Sequence, residues 1–285
     1  ANAGNDMFVN GPIAATAGVN VTLTTDTGSI TTTDTVEADN EVTLIAGQNI
    51  TTGATVTADG DDVNLTAVTG SITTGAAVLA AQNALLAAGQ DITTGGTVTA
   101  TAGMVDLDAG NDVTTTGFAL TAGTAVNVTA GEDAVLDAVT ANGGDATIDA
   151  GIDMVLAGDV NAAAGNITGT AGGSITQSGA LAAQNIALAA DTGSIDSTNT
   201  ITAATDVTLD AGTDIDTTAA ILATAGAALI TADGSITLGD TVTAGTSVTV
   251  DGDQDVTTAA ALTGGTTVDV TAGQAAILDV INALG

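Results

Sequence analysis

Apolar and polar residues alternate along the whole chain in short runs of three to five, and the runs recur at a fixed interval. The clearest marker is an apolar residue that follows a small polar one, usually Asp or Ser. It falls at Met7, Ile30, Ile50, Ile72, Ile92, Val113, Ala134, Met154, Ile175, Ile195, Ile215, Ile236, Val256 and Ala276. Successive markers are 20 to 23 residues apart, which gives fourteen repeats without a break. A fixed period of this size is the signature of a solenoid or array. The two longest intervals imply insertions, expected near Gly11-Pro12 and at Asp59-Gly60-Asp61-Asp62.

The interior of the repeat is regular. A second apolar residue follows the marker by six positions, as at Val36, Val56, Val78, Val98, Ile201 and Val242. An apolar-polar-apolar triplet follows by about twelve to fourteen, as in Val42-Thr43-Leu44, Val207-Thr208-Leu209 and Val248-Thr249-Val250. An Ala-Gly or similar pair then leads to the next marker. Each repeat therefore holds three period-2 stretches rich in Val, Ile and Thr, separated by Gly, Asp and Asn, which predicts three short strands. Strands this short bury no face alone, but repeats stacked on one another form continuous apolar ladders. The predicted fold is all-β: a parallel β-helix, or β-solenoid, of about 14 coils of about 20 residues, forming one continuous domain over residues 1–285. At a strand spacing of about 4.8 Å it would make a rod roughly 65 Å long. Leu181 to Ala190 is locally compatible with a helix, but its place in the frame predicts strand.

Units such as Ala46-Gly47-Gln48-Asn49-Ile50-Thr51-Thr52-Gly53 and Leu209-Asp210-Ala211-Gly212-Thr213-Asp214-Ile215 resemble the repeats of filamentous haemagglutinin-type adhesins, large secreted bacterial exoproteins. The resemblance covers essentially the whole chain. It implies a right-handed β-helix and a place outside the cell or on its surface. The chain departs from that family in having no cationic side chain and no secretion domain.

Composition narrows the chemistry. The 285 residues include no Lys, Arg, His, Cys, Trp or Tyr, and Asp and Glu give a formal charge of -33. Nucleic acid and anionic membrane surfaces are repelled by such a chain. Triads, thiol nucleophiles, zinc sites and Schiff bases lack their residues. Hydrophobic residues are 45% of the chain, so the charge does not imply disorder. No apolar run is long enough for a membrane helix, and Phe8 and Phe118 are too few aromatics for the girdles of an outer-membrane barrel.

The residue before the marker is Asp in seven repeats and Ser in five. Turn chemistry, with the side chain bonding nearby backbone amides, is the leading reading; a column of cation ligands is the alternative. Crowded carboxylates with no cation between them are expected to raise one another's pKa and to favour acid pH. Asp59, Asp61 and Asp62, with Asp251, Asp253 and Asp255, are the candidate calcium ligands, because closely spaced carboxylates supply the oxygens this ion takes. Asp106 and Asp108 form a further acidic pair. No nonapeptide or EF-hand calcium motif is present, and diffuse counterions are the main expectation. No cofactor is expected beyond that candidate calcium.

Two carboxylates suffice for glycoside hydrolysis, but no pair stands out and no aromatic stacks a sugar, so no enzyme is expected. The Thr-x-Thr pairs Thr55/Thr57, Thr97/Thr99, Thr200/Thr202 and Thr241/Thr243 are interrupted at Asn161, Ala182 and Leu222, which argues against a flat ice-binding face. The functional expectation is a non-catalytic extracellular structural rod, an adhesin-type stalk or fibre unit. Its expected partner is itself, by head-to-tail stacking or continuation of a longer chain, with cell-surface glycans as further candidates. A calcium-dependent carbohydrate-binding or ice-binding module is the alternative.

Overall fold

The computed structural model describes residues 1–285 as strands and turns, with no helix. The strands are all parallel to their neighbours, three to a coil, and the protein is a β-solenoid. Two compact units, Ala1–Gly144 and Asp145–Gly285, are built in the same way. Each has seven coils, and each coil contributes one strand to each of three sheets.

A coil of the first unit shows the design. Sheet 1 takes the five-residue strand Val63–Ala67, sheet 2 takes Ile72–Thr74 and sheet 3 takes Val78–Ala80. Val63, Leu65 and Ala67 are buried, as are Ile72, Val78 and Ala80. The intervening residues face out, as the two-residue period of a strand requires. The parallel register then places like on like. Leu44, Leu65, Leu86 and Leu107 stack in sheet 1. Ile30, Ile50, Ile72 and Ile92 stack in sheet 2. Val36, Val56, Val78 and Val98 stack in sheet 3. The second unit repeats the arrangement with Ile175, Ile195, Ile215 and Ile236 in sheet 2. Each fully buried Ile or Leu contributes about 1.5–3 kcal/mol. Leu181–Ala183 and Ile186–Ala190 are strands, as the frame predicts.

One column is broken by a glycine. Gly169 stands in register between Ile148 and Leu188, facing inward. A Cβ there would lie 2.9 Å from Leu188 Cδ2 and 3.3 Å from Met154 Sδ. Met154 stands where most coils have Ile, Val or Ala, and its longer side chain fills the space that Gly169 leaves.

The extra residues of the long intervals are not all where the sequence suggests. The turn holding Gly11-Pro12 has ordinary length. The additional residues of that interval lie between Ala15 and Val21, where Ala17 and Gly18 adopt positive φ, and between Thr25 and Ile30. The second long interval does widen at Asp59–Asp62, and also between Ala67 and Ile72. A third irregularity cancels itself. Leu120 follows Val113 by seven positions and Val139 follows Ala134 by five, yet both enter sheet 3 in register. Gly117, at φ +80°, absorbs the extra residue, because a left-handed corner costs glycine nothing sterically.

Candidate functional site

The chemistry-bearing side chains sit at the corners, immediately before the strands. There the side-chain oxygen of one coil accepts the backbone N–H of its counterpart in the next coil. Before sheet 2, Asp6 accepts from Ser29 (2.8 Å), Asn49 from Ser71 (2.9 Å), Asp153 from Ser174 (2.7 Å), Asp214 from Ser235 (2.7 Å) and Asp255 from Ala275 (3.0 Å). Before sheet 3, Asp159 accepts from Ala180 (2.8 Å).

Before sheet 1 the bonds join into ladders. In the first unit Asp62 Oδ1 accepts both the backbone and side-chain N–H of Asn83, and Asn83 Oδ1 accepts from Met104. In the second unit the ladder runs from Asp145 through Asn166, Asn185 and Asp206 to Ala227, with bonds of 2.7–3.2 Å. A corner N–H lies outside the regular strand pairing and needs another acceptor. Asp, Asn and Ser offer one at short reach. The sequence predicts an Asp and Ser column bonded to amides of its own turn; the structure differs, and several of these oxygens accept instead from the equivalent residue a whole coil ahead. The ladder before sheet 1 escaped the sequence reading; its signal is an Asp or Asn immediately before the long strand.

The candidate calcium ligands are not brought together. No group of three or more acidic side chains is arranged to hold a metal ion. Asp62 is engaged with Asn83 and Asp255 with Ala275. Asp59 and Asp61 lie in the widened turn, where their backbone N–H groups donate to Ala38 and Asn40. Asp251 faces out between Thr231 and Thr271, and Asp253 is exposed in the following turn.

Charge on the sheet faces is diluted in the same manner. Asp108 lies between Ala87 and Thr129, and Asp210 between Ala189 and Thr231, whose hydroxyl donates to it at 2.6 Å. Asp196 and Asp216 are an exception and stand directly in register. Burial first, and the Asp108 carboxylate second, push Asp106 above the usual carboxylate value.

On sheet 3 the outward Thr positions are interrupted, as expected. Sheet 2 of the first unit is different: Thr31, Thr51, Thr73, Thr93 and Thr114 form an unbroken outward column one residue wide. The repeated Ile-Thr-Thr triplet carried that signal. The surface depressions are open and small; one of about 200 Å³ is lined by Ala189, Asp191, Asp210, Gly212 and Asp233 among others, with no aromatic or cationic group. No helix is long and apolar enough to cross a membrane. Comparison with protein-family models, curated proteins and solved structures gives no match.

Proposed function

We propose that the protein is a non-catalytic structural protein of the cell surface or extracellular space, an adhesin-type stalk or fibre unit. The observation that carries this reading is the use of the corner side chains. At the corners, oxygens of residues such as Asp6, Asn49, Asp62, Asp153, Asp159 and Asp214 accept a backbone N–H of the next coil, and so serve to hold coils together. Within each unit most coils present similar apolar columns and corner acceptors to the coil that follows. One more coil of the same pattern, from a longer chain or a second copy, would meet the same partners, and growth along the axis follows as a heterologous contact that does not close. Surface labelling of intact source cells with an antibody against the chain, and electron microscopy of the purified protein over a concentration series, test the two halves. Labelled surfaces and thin unbranched filaments are expected. Label confined to permeabilised cells would overturn the location, and discrete particles at every concentration would overturn the stacking.

A further inference from the structure

The inner corner between sheets 2 and 3 of the first unit carries a column of threonines: Thr32, Thr52, Thr74 and Thr94, in register one coil apart. All four are buried, and their hydroxyls have no hydrogen-bond partner in the protein. The reason is local. Two threonines at equivalent positions are satisfied by a backbone N–H from the turn of the next coil: Asp137 donates to Thr115 (3.1 Å) and Asp279 to Thr258 (3.0 Å). Behind Thr32, Thr52 and Thr74 the first residue of that turn is Gly53, Gly75 and Gly95, and each gives its N–H to the threonine's carbonyl instead, at 2.5–2.7 Å. The hydroxyl is left over.

The second unit shows what such a column requires. There Gln177 and Ser197 occupy the same positions, and Ser197 donates to the Gln177 side-chain oxygen across the coil gap. Gln177 Nε2 and Ser197 Oγ also reach the Asn199 carbonyl, at 3.4 and 3.2 Å. A glutamine spans the distance between coils; a threonine is too short. Neighbouring strands lie about 4.8 Å apart, too far for two hydroxyls to bond directly. One water bonded to both at about 2.8 Å spans that gap. A stack of buried, unsatisfied hydroxyls is otherwise a heavy penalty for one small domain.

We infer that the first unit binds an internal file of water molecules, one bridging each neighbouring pair of hydroxyls along Thr32, Thr52, Thr74 and Thr94. The ligand class is water, held by protein hydroxyls that both donate and accept.

The test is Thr52→Val, a near-isosteric change that keeps the strand preference, set against Thr52→Gln, which copies Gln177. Long-lived internal waters are counted in the full chain by oxygen-17 magnetic relaxation dispersion, and thermal midpoints are recorded. The valine variant should lose about two long-lived waters, those on either side of residue 52, and melt at lower temperature. The glutamine variant should lose the same waters while keeping more of the midpoint. An unchanged water count in Thr52→Val, or a valine variant that melts higher than the parent, would overturn the inference, since a hydroxyl with no partner is better replaced by a methyl. Should both variants prove too unstable to study, the parent protein decides: four threonines in register make three neighbouring pairs, so fewer than three long-lived waters sinks the proposal and three or more upholds it.

Discussion

Asp106 faces outward from sheet 1 beside Leu85 and Asn127, and burial and Asp108 together raise its pKa. An acid whose folded pKa is raised contributes its stability below the unfolded value and loses it as pH climbs through the folded one. Asp106 is therefore a liability at neutral pH. Asp106→Asn should raise the unfolding free energy at pH 7, by no more than about 1 kcal/mol because the site is half open to solvent, and the melting midpoint with it. The gain should vanish below the carboxylate range, where parent and variant both carry a neutral side chain. A gain that persists there would show that charge is not the cause. Burial is the larger cause at Asp106, and the neighbouring Asp108 carboxylate adds to it. The sequence showed where carboxylates are dense, as at Asp59–Asp62 and Asp251–Asp255, but not which oxygens the next coil occupies. That depends on register across twenty residues, which local spacing does not report.

Strand positions were legible because burial and period reinforce each other. Every marker from Met7 to Ala276 opens a sheet 2 strand. What escaped was compensated irregularity: Leu120 and Val139 shift by one residue in opposite senses, and a fixed count of six passes over both. The inward threonines escaped for a different reason. In Ile-Thr-Thr the two threonines look alike in sequence, yet Thr51 faces out and Thr52 is buried. The corner ladder is the element-scale feature most open to test. Asp214→Ala removes the acceptor of the Ser235 N–H, and a loss of about 0.5–2 kcal/mol is expected, as for a helix N-cap. Asp214→Asn keeps the oxygen and should cost less. Amide exchange at Ser235 should quicken in the alanine variant and stay near the parent rate in the asparagine one. Equal exchange in all three would show that the corner bond does not protect the Ser235 amide.

The whole molecule carries -33 with no cationic side chain, and its one amino terminus donates to Thr22. Self-repulsion on this scale lowers the stability of a compact state, so added salt should raise the melting midpoint through screening. No three acidic side chains are grouped to hold a metal, and sodium and calcium at matched ionic strength are expected to act alike. A saturable calcium effect at micromolar concentration would instead point to a specific site among Asp59, Asp61, Asp62, Asp251, Asp253 and Asp255. In a solenoid, equivalent residues of successive coils stand one strand spacing apart. The chain has no cysteine, so spin labels can be placed at will. Thr31 and Thr114 occupy the same outward column of the first unit, four coil steps apart. A doubly labelled Thr31→Cys/Thr114→Cys protein should give a narrow pulsed electron paramagnetic resonance distance centred near about 19 Å, and moving the second label to Thr93 should shorten it by about one strand spacing. A broad distribution, or a distance that does not step with the coil number, would contradict the solenoid.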